Sequence, residues 1–166
     1  MQSLYVKSIE EVMKLCVEKA KQTMKDGIGG PFGAGVVRYD LRTDRYEVIS
    51  IESNSVLGDL DPTAHAEVNA IRVACKNLQT IDLSDCILVT TGQSCPMCVS
   101  AIAWSRIPTV FYGTTYKDAN KLGFIDEPIE KHIKNEQKLF DEIGLYRDIA
   151  IELHKIWENK QDKVDY

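Results

Sequence analysis

Between residues 86 and 113 two short apolar runs flank a helix-length segment, and this arrangement limits the fold more than any other feature of the chain. Cys86-Ile87-Leu88-Val89-Thr90 reads as a buried strand, Pro96 to Ser105 as a helix, and Thr109-Val110-Phe111-Tyr112-Gly113 as a second strand. Strand, helix and strand in succession imply a right-handed crossover and parallel pairing. A hairpin precedes them: Ala34 to Tyr39, a polar turn at Asp40 to Asp44, and Tyr46 to Ile51. The expected fold is α/β. It has a central mixed sheet, an antiparallel hairpin edge plus parallel strands, with helices on both faces.

The first covering helix is well marked. Ser8 and Glu11 form a capping-box pair, and apolar residues recur at Ile9, Val12, Met13, Cys16, Val17, Ala20 and Met24. Gly27 stands where a helix-ending glycine belongs. A second helical pattern runs from Pro62 to about Leu78. Beyond Asp126 come two amphipathic stretches, about Ile129 to Ile143 and Ile149 to Trp157, then a polar tail from Glu158 to Tyr166. No repeat or linker interrupts the 166 residues, so residues 1–166 read as a single domain with about 127–166 as a C-terminal extension. The glycines of Gly29-Gly30-Pro31-Phe32-Gly33 fit neither a phosphate loop nor a dinucleotide fingerprint. They let the backbone pass close to a neighbouring element or a ligand.

A chain of this length buries roughly 70% of its unfolded surface and folds without staples. It nevertheless carries five cysteines, an odd number, and Met1-Gln2-Ser3-Leu4-Tyr5-Val6-Lys7 has no basic-then-apolar leader. The expectation is a cytoplasmic protein without disulfides. No apolar run is long enough to mark a membrane span. The balance of 20 basic against 25 acidic residues, a net charge of -5, argues against a polyanion held through a broad field. Cys16 belongs to the first helix's apolar stripe, Cys75 lies mid-helix and Cys86 opens a buried strand, so these three read as packing residues. Cys95 and Cys98 remain.

Chemistry concentrates in Pro62-Thr63-Ala64-His65-Ala66-Glu67 and Ser94-Cys95-Pro96-Met97-Cys98, each at the start of a helix. Cys95 and Cys98 are three apart, on nearly one helical face, and can hold one ion. His65 and Glu67 are about 200° apart around an ideal helix, so they converge only end-on, in a first turn aimed at the site. Both helix dipoles then point at one place, favouring thiolates and developing negative charge. Two Cys and one His suit zinc, and three protein ligands leave a fourth position for water, whose pKa falls towards neutrality. Glu67 is placed to take a proton from that water. A redox C-x-x-C lacks thioredoxin-like surroundings here. A closed structural site would draw a fourth ligand from His132 or His154, both on charged helical faces where a solvated histidine is expected. The catalytic arrangement is the favoured one.

H-x-E with a downstream C-x-x-C resembles the signature of the cytidine-deaminase-like zinc deaminases. Within that superfamily the chain most resembles bacterial guanine deaminases. The resemblance runs through Gly29-Gly30-Pro31-Phe32-Gly33-Ala34, Asp61-Pro62-Thr63-Ala64-His65-Ala66-Glu67-Val68, Ala70-Ile71-Arg72, Asp85-Cys86-Ile87-Leu88 and Cys95-Pro96-Met97-Cys98. It continues thinly through Gly123-Phe124, Asp126, Trp157, Asn159 and Tyr166. It implies a three-layer α/β/α sandwich and one Zn2+ per chain on His65, Cys95 and Cys98, with water as fourth ligand. Glu67 would shuttle protons while the activated water attacks the carbon bearing the exocyclic amine, and the Cys95 backbone N–H would stabilise developing charge. For the base, it implies hydrogen bonds from Asn54 and from backbone near Ala66, packing against Phe32, and Asp126 as acceptor for the amide and amine edge. It further implies a homodimer with exchanged C-terminal segments, in which Tyr166 closes the neighbour's pocket. Gln93-Ser94 departs from the Glu-Pro usual before the first cysteine, and Ser94 is expected to cap the helix instead.

The implied reaction is hydrolysis of guanine to xanthine and ammonia. Guanosine, cytosine or a related amine is a sister possibility. Adenosine in transfer RNA ranks lower, because Lys131, Lys134 and Lys138 alternate with Glu130, Glu136 and Asp141 rather than lining a basic groove. A zinc-stabilised binding module is the non-enzymatic alternative, and it leaves Glu67 without a purpose.

Overall fold

A computed structural model describes residues 4–161, so Tyr166 lies outside the described residues. The chain divides into two compact units, Met1–Glu127 and Pro128–Tyr166. In chain order the elements are β1 (Leu4–Val6), α1 (Ile9–Lys25), β2 (Gly33–Asp40), β3 (Arg45–Ser53), α2 (Val56–Asp59), α3 (Ala66–Leu78), β4 (Cys86–Gly92), α4 (Pro96–Trp104), β5 (Thr109–Thr114), α5 (Tyr116–Lys121), α6 (Glu127–Ile133) and α7 (Arg147–Asn159).

In the first unit five strands form one mixed sheet in the order β1-β3-β2-β4-β5. The β1–β3, β2–β3 and β2–β4 pairs are antiparallel, and β4–β5 is parallel. Parallel pairing is thus confined to the strand–helix–strand unit of residues 86–114. Alternation along β4 separates the layers. Cys86 and Leu88 join a core with Ala66, Ala70, Ile71 and Ala74 of α3 and Ile102 of α4, whereas Val89 joins Val12 and Cys16 of α1 on the other face. The result is helix, sheet and helix in three layers.

Local chemistry sets the helix ends. The Ser8 hydroxyl accepts from the Glu11 amide at the start of α1, and Gly27 takes a left-handed φ of 69° just past its end. Helix α3 begins at Ala66 rather than Pro62. The Asp61 side chain accepts from the Thr63 amide at 2.8 Å and its carbonyl from Ala64 at 3.1 Å, so a turn occupies those residues first. The entry-loop glycines serve close approach to neighbouring backbone: a Cβ on Gly29 would stand 1.9 Å from the Asn54 carbonyl oxygen.

The second unit departs from the periodicity. The helix expected over Ile129 to Ile143 is replaced by α6, which stops at Ile133. Asn135 adopts a left-handed φ of 59° and the Glu136 amide returns to the Lys131 carbonyl at 2.8 Å, a reversal that ends the helix. Helix α7 matches its expected stretch, and none of its residues is buried. Among the described residues no helix is long and apolar enough to cross a membrane.

Candidate metal centre and active site

His65 and Cys95 are the N-cap residues of α3 and α4, both in extended backbone, and neither side chain caps its own helix. Their backbone carbonyls do the local work, accepting from Asn69 and Val99 at 2.9 Å each. The imidazole and thiol are thereby left for the space between the two helix starts. Pro96 at the first helical position fixes the turn that presents Cys95, and Cys98 follows one turn on. Ser94 is not the cap expected of it; the cap falls one residue later.

The Cys95 and Cys98 sulfurs stand 3.5 and 3.6 Å from His65 Nδ1. All three donor atoms lie within 4.8 Å of one another, and this is the grouping among the described residues able to hold a metal ion. Bonds of about 2.0 Å to nitrogen and 2.3 Å to sulfur at the tetrahedral angle separate the donors by about 3.6 Å. The observed spacing therefore fits zinc. His132, the alternative ligand considered from the sequence, is otherwise engaged: its Nδ1 accepts from the Leu139 amide at 3.2 Å.

The electrostatics match the donor set. A hydrogen bond from Cys98 draws the Cys95 thiol down to about 4 against the effect of burial, and His65 adds to it. The same bond, with burial, holds the Cys98 thiol well above its ordinary value. The Cys95 sulfur also raises His65, burial opposes, and the charges of Glu67 and Asp126 contribute further. Glu67, in the first turn of α3, is 6% exposed. Burial pushes its carboxyl above the usual range, while its own backbone N–H and the Ser94 hydroxyl pull it back. The other three cysteines are packing residues: burial raises Cys16 and Cys86 to about 12 each, and Cys75 lies against the α3 side of the core.

Around this centre the structure brings in several residues singled out from the sequence. Asn54 is 6% exposed, and its Oδ1 accepts from the amides of Gly30 and Val56 at 3.1 and 3.3 Å. Those bonds fix the amide orientation and leave its NH2 for another acceptor. Phe32 packs edge-on against Phe124, with ring centroids 4.9 Å apart. Ala66 is fully buried at the start of α3, where backbone N–H groups lack intrahelical partners. Asp126 is half-buried and its charge reaches His65. Tyr116 is an addition the sequence did not bring out: its hydroxyl donates to the Ser94 carbonyl at 2.5 Å, and its amide donates to Gln93 Oε1 at 3.3 Å. The Thr115-to-Asp118 capping box that starts its helix was the available signal.

At one edge of the three-layer fold, His65, Cys95 and Cys98 form a donor set spaced for a zinc ion. Residues 6–114 match the cytidine and deoxycytidylate deaminase zinc-binding region, and the chain belongs to that family. It is similar to guanine deaminase of Bacillus subtilis, at 38% identity over 95% of this chain and 98% of that one. The X-ray structure of the Bacillus subtilis enzyme superposes with a TM-score of 0.82, at 39% identity over the same shares of the two chains. A tRNA-specific adenosine deaminase of Buchnera aphidicola is 32% identical over 90% of this chain and 93% of its own.

Proposed function

We propose that this protein hydrolyses guanine to xanthine and ammonia, as one catalytic domain spanning residues 1–166 with a C-terminal extension from about residue 127. The observation that carries the reading is the correspondence with a guanine deaminase over nearly the full length of both chains, the extension included. His65, Cys95 and Cys98 hold the zinc. Bound there, zinc would supply Lewis acidity that lowers the pKa of a water.

The chain's own residues do the rest. Ionised Glu67 takes a proton from the attacking water as oxygen bonds to the amine-bearing carbon and passes it to the adjacent ring nitrogen. It then carries the oxygen's second proton to the amine, so that the carbonyl forms, the carbon–nitrogen bond breaks and ammonia leaves. The Cys95 backbone N–H, at the positive end of α4, stabilises charge on the tetrahedral species. Phe32 stacks on the base, while the Asn54 NH2 and backbone at Ala66 donate to it. Asp126 accepts from the guanine N–H edge, an edge that adenine, with an acceptor ring nitrogen there, does not offer.

The five free cysteines suit the reducing cytoplasm, where we place the protein. We further propose a homodimer with exchanged C-terminal segments that brings Tyr166 to the partner's pocket. The uncovered apolar stripe of Ile149, Leu153, Ile156 and Trp157 supports it. Ammonia release from guanine, guanosine, cytosine, adenine and adenosine-bearing transfer RNA tests the substrate. Turnover of guanine ahead of the others is expected; turnover of another member without guanine overturns the reading.

A further inference from the structure

The end of β5 and the start of α5 grip the chain just ahead of Cys95. Tyr116, the first residue of α5, is partly buried, and its hydroxyl donates to the Ser94 carbonyl at 2.5 Å. Its amide donates to Gln93 Oε1 at 3.3 Å, and the Gln93 amide donates to the Thr114 carbonyl at 2.8 Å. Three bonds thus join residues 93–94 to residues 114–116. The Ser94 carbonyl and the Cys95 N–H belong to one peptide unit, planar and trans, so the two groups point in opposite directions. A hydroxyl fixed on the carbonyl therefore fixes the line of the N–H. It also polarises the peptide, which strengthens that N–H as a donor. Cys95 is 8% exposed, and among the described residues its N–H meets no acceptor. Serine at 94 adds to the need for an anchor, since unlike proline it leaves φ ahead of this peptide unrestrained.

We propose that Tyr116 is a positioning residue for the hydrolysis: through the Ser94 carbonyl, its hydroxyl aims the Cys95 N–H at the charge that develops as the base is attacked. The inference rests on the deaminase reading above and on the part given there to that N–H. A donor of this kind works only where charge appears, and its worth depends on being held in place beforehand. Letting the peptide rock therefore lowers the rate of the chemical step and leaves the binding of base and zinc as it was.

The test is Tyr116→Phe in the full-length, zinc-loaded protein, which removes the hydroxyl and keeps the ring. Outright loss of one such donor costs about 10² to 10³ in rate. A donor still present but loosely aimed should cost about tenfold in kcat, with KM and zinc content within about twofold of wild type. A second readout needs no turnover. In NMR spectra of the two proteins, the Ser94 carbonyl carbon and the Cys95 amide nitrogen should both move upfield in the variant, as a carbonyl that loses its donor requires. The amides of Val99 to Trp104, in the body of α4, should keep their shifts. Unmoved Ser94 and Cys95 resonances, a kcat that holds although they move, a rise in KM matching the fall in rate, or lost zinc overturns the proposal. Wild-type protein that releases ammonia from no base takes down the deaminase reading and this proposal together, whereas an active wild type with an equally active Tyr116→Phe takes down this proposal alone.

Discussion

His65 and Cys98 are 33 residues apart in the chain, yet the imidazole Nδ1 and the thiol sulfur are 3.6 Å from each other. The contact exists because β4 returns the chain to the end of the sheet at which α3 begins, so that two helix starts share one small space. Metal binding there has a definite proton cost. Cys95 is already drawn down to about 4, whereas Cys98 and His65 are both raised and hold their protons more tightly than usual. Ligation must expel those protons, so zinc affinity falls as pH falls and rises as it rises. Calorimetric titration of the zinc-free protein near neutral pH, in two buffers of different ionisation enthalpy, should show release of about one to two protons per zinc. Release of none would mean that the thiols are not ligands.

Glu67→Gln keeps the shape of the side chain and removes its ability to carry a proton. Because Glu67 is buried and burial already opposes its charge, the neutral replacement should fold at least as stably as wild type. Zinc content should stay at one per chain while ammonia release falls by about 10² to 10⁴. Metal analysis and a rate measurement on the same preparation check both halves. Retained activity would remove Glu67 from the proton shuttle.

Gly29 packs against Asn54, the residue proposed above to donate to the base. A Cβ at Gly29 would fall 1.9 Å from the Asn54 backbone oxygen and 2.6 Å from its Oδ1, which accepts from the neighbouring Gly30 amide. Gly29→Ala should therefore push Asn54 out of place, costing about 1–3 kcal/mol of stability as overpacking does and raising KM. Asn54→Asp keeps the backbone fit but removes the NH2 donor, so it should raise KM with a smaller loss of stability. Denaturation and steady-state kinetics on the pair separate the two effects, and an unchanged KM in both would exclude Asn54 from the base.

The core of the site was legible because its signals are local. A histidine two before a glutamate and two cysteines three apart each declare a helix start, and the strand–helix–strand run says how those starts are brought to one sheet. What escaped the sequence depends on tertiary pairing or on single backbone torsions. Leu4–Val6 is too short to show a strand pattern and becomes β1 only by pairing with Tyr46 to Val48. The apolar spacing after Ile129 continues past Asn135, but one left-handed residue ends the helix whatever the pattern beyond it. Ser94 was legible as a departure from the usual motif. Its burial, and the Tyr116 hydroxyl that donates to its backbone carbonyl, are tertiary features that no local pattern encodes.

The C-terminal segment offers the last prediction. Helix α7 carries Ile149, Leu153, Ile156 and Trp157 on one stripe, 43–72% exposed, the kind of face that a second copy covers. If the segments exchange, a chain cut after Trp157 lacks the tail its partner needs, while its own zinc site remains whole. Such a truncation should lose activity far more than zinc. Mixed with full-length Glu67→Gln, which supplies an intact tail but no proton shuttle, it should regain activity, because in mixed dimers the working site of one chain meets the tail of the other. Equal parts of the two inactive proteins should recover up to about a quarter of the wild-type rate, the share expected for one complete site in each of half the dimers. Sizing in solution confirms that dimers form. No recovery on mixing dimers that exchange subunits would place each tail on its own chain.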